Sequence, residues 1–470
     1  MNQYESPLNS RYASKKMLGL FSADNRYGTW RKLWTALARA QHRLGLPVTE
    51  AQVAELEAHI RDIDYAAVAE KEREIHHDVM AHIYAYGKVC PNAAGIIHLG
   101  ATSCFVTDNA DLVLYRDGLR SVRGDLSAVI TALSVFAERY KALPTLGYTH
   151  LQPAQLVTVG KRTCLWIQDL LLDLEELDFV LSSFRFLGCR GTTGTEASFL
   201  ELFDGDEAKI DEMNRQIAAE FGFGRLFAVS GQTYPRKFDS RIMNVLSAIA
   251  QSCYRFANDL RLLQHLRQVE EPFGEAQVGS SAMAYKRNPM LSERICSLAR
   301  YVMVDALNAP LTASVQWFER TLDDSANRRI SIPEAFLAVD AVLQIMKKVV
   351  AGLQVNEKVI GQAVRLYLPF IATENLLMAA VKKGGDRQQQ HEIIRRHSMA
   401  ATARMKNGED CDLLERLGTD AEFALSADEI NDVLTPEAYT GRSVNQVEHF
   451  LSELPAFSGE AAGLPEEPIL

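Results

Sequence analysis

Residues 279–289, GSSAMAYKRNP, set two adjacent serines, Ser280 and Ser281, ahead of Lys286, Arg287 and an Asn288-Pro289 stop. The opening Gly-Ser-Ser is loop chemistry, because glycine tolerates unusual backbone angles and serine competes locally for backbone hydrogen bonds. Pro289 suits the first position of the helix predicted for MLSERICSLARYVM. A hydroxyl, an ammonium group and a helix N-terminus together can take a proton beside a carboxylate and hold the charge that develops. Stripped of that combination, the stretch reads as a surface loop with two basic residues.

The histidines divide by setting. His42, His59, His265, His391, His397 and His449 lie in helical patterns among charged neighbours and read as solvated or structurally satisfied. His76 and His77, followed by Asp78, precede an apolar helix start, and His98 sits in the Gly-rich turn IIHLGATS. His150 stands in GYTHLQPAQ, after a long helix breaks at Pro144 and before Pro153, which is expected to open the next one. A titratable group at such a junction is placed to face a cleft. Metal binding is not predicted, since there is no HExxH and the acids lack ligand periodicity.

Two further stretches have competing readings. LGCRGTTGT, residues 187–195, lacks GxGxxG and a terminal GK[ST], so it reads as a tight interhelical connection in preference to a phosphate loop. WFERTLDDSANRR, residues 317–329, places Arg320, Arg328 and Arg329 around two acids. It is either a charged helix face or, with Arg294, a pocket in which guanidinium forks capture phosphate or carboxylate.

These residues need elements to position them. Leu112, Tyr115, Leu119, Val122, Leu126, Val129, Leu133, Phe136 and Tyr140 alternate at steps of three and four, a heptad seam for a helix of roughly 50 Å. Gly118 and Gly124 weaken it, so packing on neighbours must hold it. A similar seam runs from Ile242 to Leu263, with amphipathic stretches over 155–187, 289–307 and 333–353. The expected fold is all-α: a small helical domain (1–103), a long central bundle (104–355) and a second small helical domain (356–470), with a loosely ordered tail from Ser458. Seams this long are hard to bury in one chain, so self-association is expected.

Composition narrows the class. A formal net charge of −10 argues against a nucleic-acid surface, and 47% hydrophobic with 23% charged residues is ordinary for a globular protein. No apolar run is long enough to span a bilayer, and the polar N-terminus is unlike a signal peptide. Seven scattered cysteines without CxxC read as reduced core residues in a cytoplasmic protein.

The serine loop resembles the signature of the fumarase/aspartase superfamily. With IIHLGATSC, LPTLGYTHLQPAQLVTVGKR, RGTTGTEASFLELF, SGQTYPRK and WFERTLDDSANRR it is similar, from about Ser6 to about Glu453, to the adenylosuccinate lyase family. The resemblance implies β-elimination of fumarate from adenylosuccinate, giving AMP, and from succinyl-aminoimidazole-carboxamide ribotide, without metal or cofactor. By matching positions, Ser280 would be the base and His150 the acid. Lys286 and Asn288 would hold the succinyl carboxylate, and Glu293 would orient His150. His76, His77 and His98 would lie near nucleotide or carboxylates. Arg11, Tyr12, Asp78, Thr102, Ser103, Gln232, Arg294, Arg320, Ser325 and Arg329 would bind the rest of the substrate. The family's usual Pro is Ala284 here, and its usual Arg is His76. The resemblance further implies a homotetramer whose sites draw on three chains, with small-molecule purine nucleotides as partners and neither nucleic acid nor membrane. Argininosuccinate lyase is the alternative enzyme. An inert structural relative is disfavoured by the intact His150, Ser280, Lys286 and Glu293.

Overall fold

A computed structural model describes residues 3–274, 277, 282–283 and 285–455. Gly279, Ser280, Ser281, Ala284 and the tail from Ser458 lie outside them. The chain is mainly helical. The helices that position the site are α1 (Lys15–Leu20), α2 (Ala23–Arg43), α3 (Tyr65–Ile75), α4 (Asp78–Val89) and α5 (Ser103–Arg139). They are followed by α6 (Val159–Ser182), α7 (Lys237–His265), α8 (Met290–Asp305), α9 (Asn308–Ser314), α10 (Asp323–Ala351), α11 (Glu357–Ile371) and α12 (Ser443–Ser452). Among the described residues no single helix is long and apolar enough to cross a membrane.

The expected long helix is α5, with 37 residues. Its seam residues Leu112, Leu119, Leu126 and Leu133, one per heptad, are wholly buried in a core shared with α2, α6, α7, α8 and α10. Gly118 has a packing reason: a Cβ there would come within 2.8 Å of the Phe336 ring on α10. The close approach that glycine permits offsets its weak helix propensity.

One expectation is corrected between α5 and α6. Pro153 does not open a helix. It lies in strand β2 (Gln152–Thr158), paired antiparallel with β1 (Pro144–Thr149), Tyr148 opposite Pro153. The hairpin is held by Leu146 and Leu156, which pack on Ile360, Val364 and Leu368 of α11. The next helix begins only at Val159, capped by the Thr158 hydroxyl accepting from Lys161 N at 3.1 Å. A second small ladder joins β3 (Val269–Glu270) to β4 (Gln354–Val355) just before the serine loop. Helices between residues 372 and 430 form a separate small core, whereas α12 folds back so that Val447 joins the main one.

Candidate active site

The densest group of candidate residues surrounds the N-terminus of α5. Thr102 is its N-cap, and Ser103 Oγ lies 3.4 Å from His77 Nε2. His77 caps α4, its Nδ1 accepting from Met80 N at 3.3 Å, so a neutral ring carries its proton on Nε2, toward Ser103. His98 Nδ1 accepts from Trp34 Nε1 at 2.9 Å. Burial, with a smaller push from His77, lowers His98 to about 4, so it is neutral at pH 7 and free to donate from Nε2. Asp78 accepts from Arg329 at 2.6 Å. Burial opposes its ionisation, but the Arg329 bond and charge outweigh that and hold the carboxyl below its ordinary value. Gln232 is fixed at both ends of its amide, Oε1 accepting from Cys104 Sγ at 3.3 Å and Nε2 donating to Thr192 O at 3.2 Å. Arg320 reaches Asp324 at 2.7 Å, and Ser325 sits in the first turn of α10 beside it.

Beneath this group lies a buried ionic layer that corrects the reading of Arg328. Arg328 is not a ligand-facing arginine. It is buried, paired with Asp239 at 2.6 Å and Asp111 at 3.3 Å, and it donates to Tyr234 Oη. Arg236 is bidentate to Asp108 at 2.8 and 3.1 Å and reaches Asp324 at 2.5 Å. One residue along a helix turns a side chain by about 100°, so Arg328 points inward while Arg329, half-exposed, faces the site. The layer ties α5, α7 and α10 together where their ends carry the candidate residues.

A second group joins the N-terminal π-turn Leu8–Tyr12 to α8. The Arg294 guanidinium lies 5.6 Å from the Tyr12 ring centre and that of Arg11 lies 6.0 Å from it. The turn is anchored by Asp340 of α10, which accepts from Ser14 N at 2.6 Å and Ser14 Oγ at 3.0 Å. On α8, Glu293 is exposed in the first turn, and exposed Lys286 and half-buried Asn288 precede it.

The N-terminus of α8 departs from expectation twice. Pro289 is its N-cap, not its first helical residue. The free amides are also not open to a ligand: buried Glu271 accepts from Leu291 N at 2.9 Å, Ser292 N at 2.8 Å and Ser292 Oγ at 2.7 Å. The helix end already holds a protein carboxylate, so it cannot serve as the main cradle for developing substrate charge. Sequence inspection passed over Glu271, and its only signal was an acid pair before a loop that ends at a helix start.

His150 stands apart. It and Leu151 form the hairpin tip, both left-handed (φ 53° and 58°), the backbone that a two-residue hairpin turn favours. The tip is exposed, and among the described residues no hydrogen bond, ion pair or ring contact joins His150 to the other groups. His76 is likewise exposed, closing α3 in a left-handed conformation. His82, absent from the sequence-based reading, is buried, stacked on Tyr27 at 4.0 Å, and lowered to about 4 mainly by burial. Among the described residues no cluster of His, Cys, Asp and Glu is placed to hold a metal ion.

The chain is similar to known proteins in sequence and fold. A family model described as a lyase matches residues 10–304, and one described as adenylosuccinate lyase C-terminus matches residues 369–450. An adenylosuccinate lyase of Schizosaccharomyces pombe is 49% identical over 454 residues, covering 96% of this chain and 94% of its own length. That of Saccharomyces cerevisiae is 48% identical, covering 96% and 95%. Among solved structures, a fumarate lyase from Mesorhizobium sp. BNC1 matches with TM-score 0.79 at 23% identity, over 96% of this chain and all of that one. A 3-carboxy-cis,cis-muconate lactonizing enzyme from Pseudomonas putida matches with TM-score 0.81 at 23% identity, over 95% and 98%. At that identity the structures speak to the fold alone.

Proposed function

This chain belongs to the adenylosuccinate lyase family, and from that premise we propose that it releases fumarate from adenylosuccinate, giving AMP, and from succinyl-aminoimidazole-carboxamide ribotide. The reaction is a β-elimination: a base takes a proton from the succinyl carbon, the carbanion delocalises into the adjacent carboxylate, and an acid protonates the departing nitrogen. Ser280 is assigned as base and His150 as acid. Lys286 and Asn288 steady the carboxylate on which charge builds, and Glu293 orients His150. The observation that carries the reading is the convergence of His77, His98, Ser103, Gln232 and the Asp78–Arg329 pair at the N-terminus of α5. Neutral donors there suit a base and ribose, and Arg11, Arg294, Arg320 and Arg329 suit a substrate with a phosphate and two carboxylates.

The assembly is assigned as a homotetramer with sites shared between chains, in the cytoplasm. Leu165, Leu172 and Phe179, seven residues apart, form an exposed apolar stripe on α6, and Val304, Leu307 and Leu311 continue such a face from α8 into α9. Stripes of that kind favour partner helices. The seven cysteines are all unpaired, as a reducing compartment would leave them. The test is direct: purified protein is given adenylosuccinate while purine absorbance and fumarate are followed. Turnover is expected. Turnover on argininosuccinate with none on adenylosuccinate overturns the assignment.

A further inference from the structure

The serine loop lies in sequence between β3 and α8, and one buried side chain holds the described residues on either side of it together. Glu271 is 3% exposed and immediately follows β3. Its Oε1 accepts from Leu291 N, and its Oε2 from Ser292 N and Ser292 Oγ, all within 2.9 Å. Gln264, in the last turn of α7, makes a second stitch. Its Oε1 accepts from Glu271 N at 3.1 Å, and its Nε2 donates to Arg287 O at 3.0 Å. Four points are thereby fixed relative to one another: the end of α7, the entry to the loop, Arg287 near its exit, and the start of α8.

We propose that Glu271 is a positioning residue for the elimination, setting the placement of Lys286, Asn288 and Glu293 through its clamp on the α8 N-terminus. The argument is one of adjacency and stiffness. Lys286 and Asn288 flank Arg287, whose carbonyl is held by Gln264, and Glu293 follows Ser292, whose amide and hydroxyl are held by Glu271. A carboxylate suits this task better than an amide. All three donors point at its two oxygens, and the negative charge complements the helix end. In Glu271→Gln one oxygen becomes an NH₂, which faces either the Leu291 amide or the Ser292 amide donor-to-donor. The mismatch shifts the helix start, and a displacement of about 1 Å at reacting groups costs up to about a hundredfold in rate. The nucleotide is held chiefly at the α5 N-terminus under the proposed function, so the effect falls on kcat more than on KM.

The role rests on that functional reading, so wild-type protein is assayed first. Absence of turnover on adenylosuccinate sinks the reading, and this role with it. Given wild-type turnover, Glu271→Gln is expected to lower kcat about thirtyfold with KM changed by less than about threefold. Gln264→Ala and Ser292→Ala, each removing only part of the clamp, are expected to lower kcat by smaller factors in that order. They decide the matter where Glu271→Gln fails to fold. A folded Glu271→Gln protein with kcat within about twofold of wild type overturns the role. So does a lowered melting temperature with wild-type kcat, and so do unchanged rates in both partial variants.

Discussion

Three of the histidines singled out by their settings, His76, His98 and His150, have left-handed backbones with φ of 50°, 70° and 53°. Such a conformation costs a residue with a Cβ roughly 1 kcal/mol, so the surroundings must impose it, and it concentrates at turns and functional sites. Buried acids form a second group whose environment sets their chemistry. Burial is the main cause lifting Asp340 to about 6, with the Asp125 charge adding and the Ser14 and Gln344 bonds opposing. A carboxyl raised above its unfolded value contributes stability that is complete below the unfolded pKa near 4 and is lost as pH rises through about 6. Asp340→Asn removes that loss. Its stability relative to wild type is therefore expected to improve between pH 4 and pH 7, by on the order of 2 kcal/mol. Urea unfolding at the two pH values checks this, and a constant difference contradicts it. Residue types and spacing made His77, His98 and Arg329 legible as candidates, because their signals are local. His82 and Arg328 were not legible. His82 drew no reading of its own, and Arg328 read as part of a charged helix face or an anion pocket; only the packing of Tyr27 over His82 and of Asp239 against Arg328 turns them inward.

Among the elements, α5 was readable because its heptad repeat is long and its seam from Leu112 to Leu133 is buried in one contiguous core. The β1–β2 hairpin was not, since each strand is short and the residues that bury it, Ile360, Val364 and Leu368, lie some two hundred positions later. Its effect is to carry His150 on a short paired arm where a helix junction was expected. The loop 187–195 was read correctly as a connection between helices, and the structure adds why it is tight. Gly194 has φ 83°, and a Cβ there would stand 1.9 Å from Ser230 O. That closeness brings Thr192 O within reach of Gln232 Nε2. Gly194→Ala therefore meets both a disfavoured backbone and an overlap with main-chain atoms that cannot turn aside. A loss of at least about 2 kcal/mol is expected, together with a raised KM as Gln232 moves. A melting temperature equal to that of wild type would show that the loop has room this geometry denies it.

At the scale of the whole molecule, the candidate groups occupy different ends of one elongated chain. The α5 N-terminus gathers His77, His98, Ser103 and Arg329, whereas His150 sits at the hairpin just beyond the C-terminus of the same 37-residue helix. At 1.5 Å per residue those ends are about 55 Å apart. One copy of the chain therefore holds His150 far from the groups gathered at the other end of α5. The exposed stripe of Leu165, Leu172 and Phe179 gives the physical means for another copy to supply it. This arrangement makes a quantitative prediction under the proposed roles. His150→Ala and Ser280→Ala should each lower kcat by at least about a hundredfold, the usual cost of losing a positioned acid or base. If His150 and Ser280 of one site come from different subunits, dissociating and reassembling equal amounts of the two variants leaves about a quarter of sites with both residues intact. Activity should recover to about a quarter of the wild-type value per site, far above either parent. Native mass measurement of the reassembled protein establishes that hybrids have formed. Hybrids that remain as inactive as their parents would place both residues of each site on one chain and refute the shared site.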